Sequence, residues 1–85
     1  MDFQKENSHI YCKNDFGQII AEITFPEVEA GVFCINHTFV DDSLRGQGVA
    51  GKLVKMAVEE IQSRNGKVTA TCSYAQNWLE KHRVS

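Results

Sequence analysis

Basic residues are in slight deficit: nine Lys and Arg stand against eleven Asp and Glu, a formal charge of −2. Nucleic acids and anionic membranes reward a basic surface, so neither is expected as a partner. No apolar run approaches the roughly 20 residues that a membrane span requires. The residues after Met1-Asp2-Phe3-Gln4-Lys5 are polar and lack a signal-peptide core. The three cysteines, Cys12, Cys34 and Cys72, form no Cys-x-x-Cys or Cys-x-x-His pair, so no metal site is expected. Their odd number favours free thiols. A soluble cytoplasmic protein is the expectation. With one proline, six glycines and no low-complexity tract, the 85 residues (9.6 kDa) contain no evident linker and read as one domain, 1–85.

What the chain does contain is clear periodicity. Ile19, Ala21, Ile23 and Phe25 alternate with Gln18, Glu22 and Thr24, the period-2 pattern of a half-buried strand. Phe33, Ile35, His37 and Phe39 alternate with Cys34, Asn36 and Thr38 in the same way. The link Pro26 to Gly31 suggests an antiparallel hairpin between them. A weaker strand, His9 to Lys13, precedes the turn Asn14-Asp15-Phe16-Gly17. The period then changes. Ala50, Leu53, Val54, Ala57, Val58 and Ile61 form one apolar stripe on a helix, which Asn65-Gly66 ends. Lys67 to Thr71 reads as a strand and Tyr74 to His82 as a final helix. The order βββ-α-β-α implies an α/β fold with a mainly antiparallel sheet. Its β-α-β unit over 33–71 brings two strands together in parallel, through a right-handed crossover.

Charge is segregated along this plan. Residues 1–42 carry two Lys against eight acids, whereas residues 43–67 carry five basic residues against two acids. The positive part contains the glycine-rich stretch Arg45-Gly46-Gln47-Gly48-Val49-Ala50-Gly51-Lys52, placed between a strand and a helix. Such a turn lets backbone N–H groups approach phosphate oxygens at the positive end of the helix dipole. A tight turn that merely needs small residues would read the same way. Gly46 to Lys52 approaches the Walker pattern, but Leu53 offers no hydroxyl to Mg²⁺, so nucleotide hydrolysis is excluded. Gly46, Gly48 and Gly51 also satisfy G-x-G-x-x-G. The following strand ends in Thr71-Cys72 without a ribose-binding acid, which argues against NAD.

Arg45-x-x-Gly48-x-Ala50, after a strand ending in Phe39-Val40 and before an amphipathic helix, resembles the [RQ]-x-x-G-x-[GA] loop of the GNAT N-acetyltransferases. Residues 35–53, with Thr71 to Ala75 and Trp78-Leu79, look like a branch of very short GNAT-like proteins. The resemblance implies a compact GNAT-like fold with a splayed pair of parallel strands ending at Val40 and Cys72. It implies acetyl-coenzyme A as acyl donor, an amine acceptor of unknown identity, and no metal. The pyrophosphate would rest on N–H groups of Gln47, Gly48, Val49, Ala50 and Gly51, with Arg45, Gly46 and Lys52 around it. The pantetheine arm would run along Phe39 and Val40, and a backbone N–H near Val40 would stabilise the oxyanion.

Two departures from the family stand out. The helices that usually follow the first strand, and the strands after the last helix, are missing, so much of the usual acceptor site is missing too. Leu79 stands where many members have a proton-donating Tyr, and Cys72 stands where they have Asn. Tyr74 is the nearest phenol. Cys72 is accordingly a candidate to take the acetyl group or to act as acid near the leaving sulfur; the plain alternative is a small buried residue. His37 reads first as a core histidine on the Phe33–Ile35–Phe39 face, and second as a general base. Glu22 reads as solvent-exposed, with proton acceptance through water as its alternative. Cys12 and Cys34 read as packing residues, His9 and His82 as surface residues, and Trp78 as the residue packing its helix onto the sheet. An N-acetyltransferase is the leading expectation. A coenzyme A-binding module without turnover, and a structural descendant with an empty loop, are the alternatives.

Overall fold

The computed structural model describes residues 2–82. Seven strands and two helices follow one another: β1 (Gln4–Glu6), β2 (His9–Lys13), β3 (Ile19–Thr24), β4 (Glu27–Glu29), β5 (Val32–Ile35), β6 (His37–Val40), α1 (Val49–Ser63), β7 (Lys67–Ala70) and α2 (Ser73–His82). A 3-10 turn, Asp42–Leu44, lies between β6 and α1. The mixed α/β fold expected from the sequence is present, with more strands than the periodicity marks. β1 and β4 are three-residue strands with every residue exposed, so no hydrophobic alternation announces them.

The segment read as one strand, Phe33 to Phe39, is two. β5 pairs in parallel with β7 and antiparallel with β4, whereas β6 pairs antiparallel with β3 in a separate sheet ordered β1-β2-β3-β6. The break is at Asn36. Its N–H reaches the Thr24 carbonyl (3.2 Å) while His37 stands opposite the same Thr24, so two residues face one as in a β-bulge. The extra residue reverses the faces. Phe33 and Ile35 are buried, but His37 and Phe39 are exposed, and Thr38 and Val40 take the inner side. His37 is therefore not a core histidine.

The core lies between the inner faces of the strands and the apolar stripe of α1. Ile10, Ala21, Ile23, Phe25 and Ile35 meet Leu53, Val54, Ala57 and Ile61, all at 0% exposure. Each large aliphatic side chain buried there contributes about 1.5–3 kcal/mol. Val49, not Ala50, begins the buried stripe; Ala50 faces the opening beside the glycine loop. The helix ends as the sequence suggests, with Asn65 at φ 58° and the Gly66 N–H on the Ile61 carbonyl (2.9 Å). Gly66 is required for space: a Cβ there would lie 2.8 Å from the Phe33 ring and 2.9 Å from Ile61.

Candidate functional site

Parallel pairing of β5 with β7 stops at Ile35. Its carbonyl accepts from both Thr71 N–H (3.1 Å) and Cys72 N–H (3.3 Å), after which β6 departs toward β3. A wedge opens between β6 and the start of α2. Register determines what β6 shows to it. The Asp41 N–H donates to the Ile20 carbonyl (2.8 Å), so Phe39 and His37, at steps of two, also direct their backbone groups to β3. Thr38 and Val40 then turn N–H and C=O toward the wedge. An extended chain could pair there as an added strand does.

At the outer end of the wedge, a cavity of about 490 Å³ is lined by Val40, Leu44, Arg45, Gly46, Gly48, Val49, Ala50, Gly51 and Tyr74. α1 opens on it. Gly48 caps the helix at φ 69°, a left-handed conformation that other residues adopt at a cost, and a Cβ there would meet nothing within 4 Å. The Lys52 N–H is bonded to the Gly48 carbonyl (3.1 Å), so the N–H groups of Val49, Ala50 and Gly51 remain at the open helix end. Val49 contributes only its backbone, because its side chain is buried. Arg45 lines the cavity while its Nε holds Asp42 at 2.8 Å, an exposed pair that an anion can exchange for little. Gln47 and Lys52 are exposed beside the loop but do not line the cavity. Phe39 lies on the outer face of its sheet, and Thr38 has the place expected for it beside the wedge.

Cys72 sits at the other end, one residue before α2, and its carbonyl accepts from the Gln76 N–H (2.9 Å). Its Sγ lies 3.7 Å from Thr38 Oγ1, across the wedge. Burial pushes the thiol up, but the Ala75 N–H, the Thr38 hydroxyl and the N–H groups of Tyr74 and Thr38 together outweigh it. The net result is a pKa below the ordinary 9.0, as for thiols at helix N-termini. Cys72 is half-buried, whereas Cys12 and Cys34 are buried. Leu79 is partly buried against the core, and Tyr74 holds its hydroxyl over Gly51, where a Cβ would be 3.3 Å away.

On the opposite face of the β1–β2–β3–β6 sheet, Glu22 joins two imidazoles. Its Oε1 lies 2.8 Å from His9 Nε2 and its Oε2 lies 3.4 Å from His37 Nε2. Glu22 and His9 are thus partly buried partners, not the lone surface groups that the sequence suggests. Sequence reasoning misses both Thr38 and this imidazole pairing; shifting the face assignment by one residue at the exposed Asn36 would reveal Thr38. Among the described residues, no cluster of His, Cys, Asp and Glu has the form of a metal site, and no helix is long and apolar enough to cross a membrane.

A glycine loop that opens a helix onto this cavity, beside a splayed strand pair, is the arrangement that the sequence resemblance implies. Residues 9–84 match the family model of the GCN5-related N-acetyl-transferases, and the chain belongs to that family. A GCN5-like protein from Staphylococcus aureus, solved by NMR, is similar over 95% of this chain and 79% of its own, at 38% identity and a TM-score of 0.79. An acetyltransferase crystal structure from Agrobacterium tumefaciens shares 26% identity over 86% of this chain and 55% of its own (TM-score 0.68). A GNAT family N-acetyltransferase from Escherichia coli, crystallised with CoA, shares the fold at 22% identity, covering 73% of this chain and 38% of its own (TM-score 0.62). The chain thus spans about half or less of these last two relatives. A search of curated proteins finds no match.

Proposed function

We propose that this chain is an acetyl-CoA-dependent N-acetyltransferase that passes the acetyl group to an amine through Cys72. The observation that carries the reading is the position of Cys72: a thiol of lowered pKa on a helix N-terminus, 3.7 Å from Thr38, where the parallel strands part. The cavity fits the donor. The N–H groups of Val49, Ala50 and Gly51, the open space at Gly48 and the charges of Arg45 and Lys52 suit a pyrophosphate, with Gly46 and Gln47 completing the turn. The Thr38 carbonyl and the backbone of Val40 suit the amides of the pantetheine arm. The Escherichia coli relative crystallised with CoA, which shares the fold, adds support.

Acetyl-CoA supplies an activated acyl group. The Cys72 sulfur forms a bond to the acyl carbon as the thioester C–S bond breaks, and the departing thiolate takes a proton from solvent. The acceptor nitrogen then attacks the acetyl-Cys72 carbonyl, which restores the Cys72 thiolate. His37, oriented by Glu22 on the open sheet face, takes the proton that the amine loses. No phenol is needed as acid, in keeping with Leu79 at that position. We place the protein in the cytoplasm, where three free thiols are kept reduced.

The test is an acid quench after incubation with labelled acetyl-CoA, followed by intact mass and peptide mapping. One acetyl group on wild type, located at Cys72, lost on addition of an amine and absent from Cys72→Ala, is the expected result. Label transfer to amines by Cys72→Ala at the wild-type rate overturns the covalent route. The second reading, a CoA-binding module without turnover, is favoured by the absent acceptor-site helices. It predicts calorimetric binding of CoA with neither acetyl-Cys72 nor transfer across an amine panel.

A further inference from the structure

The three thiols of the chain are not equivalent. Cys12 and Cys34 are buried, with Cys12 Sγ 3.8 Å from the Lys13 carbonyl oxygen and Cys34 Sγ 3.8 Å from Thr71 Oγ1. Cys72 is half-buried and stands across the wedge from Thr38. Around its sulfur are the N–H groups of Ala75, Tyr74 and Thr38, which favour the thiolate over the thiol. Thiolate is the form that attacks a disulfide sulfur.

Position decides which disulfide arrives. The donor slot runs from the cavity of about 490 Å³ at the glycine loop, along Val40 and the Thr38 carbonyl, to Cys72 Sγ, which lies 3.7 Å from Thr38 Oγ1. A thioester and a disulfide of one pantetheine arm differ only beyond the arm's sulfur. A slot that brings the thioester's acyl carbon to Cys72 therefore brings the arm's sulfur to within one bond of the same point.

We propose that Cys72 also exchanges with coenzyme A disulfide and keeps one CoA in the donor slot as a mixed disulfide. This rests on the donor assignment above and adds a redox reaction to it. The Cys72 thiolate attacks the disulfide sulfur of the CoA seated on the glycine loop. A bond between Cys72 Sγ and that sulfur forms as the CoA–CoA S–S bond breaks. The second CoA departs as a thiolate and takes a proton from solvent. Cys72 is oxidised and the departing CoA is reduced, so no other oxidant is consumed. Cys12 and Cys34 are both buried and offer no resolving thiol. The mixed disulfide thus persists until an external thiol such as reduced CoA attacks it. While it lasts the slot is filled and the sulfur is capped, so acetyl transfer stops.

Three disulfides separate delivery by the slot from simple exposure of a thiol. They are CoA disulfide, pantethine, which has the same arm without the nucleotide and its phosphates, and glutathione disulfide. Adducts are followed by intact mass and located by peptide mapping without reductant. CoA disulfide is expected to place one CoA on Cys72, reversibly by dithiothreitol. At equal low concentration it should react at least about tenfold faster than either other disulfide, the factor expected of one charge-assisted hydrogen bond at the loop. Gly48→Ala is expected to bring the CoA disulfide and pantethine rates together. Equal wild-type rates for those two, or an adduct on Cys12 or Cys34, overturn the exchange and leave the donor reading standing. Acetyl-Cys72 formation by a protein that CoA disulfide leaves unmodified has the same meaning. No calorimetric binding of CoA overturns both.

Discussion

Replacing Gly48 by Ala separates the loop's chemistry from its backbone geometry. Gly48 has φ 69° and ψ 21°, and a Cβ built on it meets nothing within 4 Å. The variant therefore suffers no clash, only the left-handed conformation, about 1–2 kcal/mol for a residue with a Cβ. Restricting the unfolded chain returns about 0.4–1 kcal/mol. A net loss near 1 kcal/mol lowers the melting temperature by about 4–8 °C in a domain of this size. Gly17 provides the control, because its φ is 78° and its surroundings are equally open, at a hairpin tip far along the chain from the loop. Gly17→Ala should cost the same stability. Binding should tell them apart. The new methyl of Gly48→Ala projects into the space where an anion approaches the helix N–H groups, and losing one charge-assisted hydrogen bond costs about 1.5–3 kcal/mol. Calorimetric titration is then expected to show CoA affinity down at least about tenfold in Gly48→Ala and unchanged in Gly17→Ala. Wild-type affinity in Gly48→Ala, with the expected melting shift, refutes the phosphate assignment of the loop.

Alkylation of Cys72 by iodoacetamide should follow a titration midpoint below the ordinary 9.0, because the thiolate is favoured; reactivity persists as pH falls until that midpoint is crossed. Thr38→Val removes one of the hydrogen bonds and should raise the midpoint; an unchanged midpoint removes Thr38 from the account. Asp41 has its carboxyl held below 3.8 by the Ser43 hydroxyl, then by the Ser43 N–H, with Oδ2 2.6 Å from Oγ. The contact's stabilisation is present above the unfolded pKa and lost as pH falls through the folded one. A carboxyl NMR titration of Ser43→Ala should show the Asp41 midpoint rising. Gly66→Ala forces a Cβ to within 2.8 Å of Phe33 and should destabilise the fold by about 1–3 kcal/mol in urea titration, since the ring is buried and packed.

The elements with a strong hydrophobic period are legible in the amino-acid sequence: β2, β3, α1, β7 and α2 lie within a residue or two of the patterns that announce them. The break in the third strand is not. An alternation rule counts polar and apolar positions, and Asn36 satisfies it as a polar position whether or not the strand continues on one partner. Only pairing reveals that Ile35 ends one ladder and His37 begins another. That single insertion moves His37 and Phe39 to the outer face and Thr38 inward. The glycine loop is legible because its chemistry is local, a turn and a helix start. The Glu22 contacts to His9 and His37 are not, because they depend on the register of three strands separated by many residues.

The break at Asn36 also frees one edge of β6 from the parallel ladder. Strand groups left without a partner are a liability, an open edge that invites unwanted pairing. Here the open edge is confined to Val40 and the Thr38 carbonyl, since the Thr38 N–H meets Cys72, which stands across from it at the start of α2. Because β6 belongs to the β3 sheet, its other face carries the exposed His37 beside Glu22. The glycine loop thus lies at one end of the wedge, and the Glu22–His37 contact lies on the other face of the β3–β6 sheet. Had β5 continued straight on β7, the parallel ladder would have consumed the backbone groups of residues 36–40. The wedge would then be closed, and Cys72 would pack as an ordinary strand-end residue.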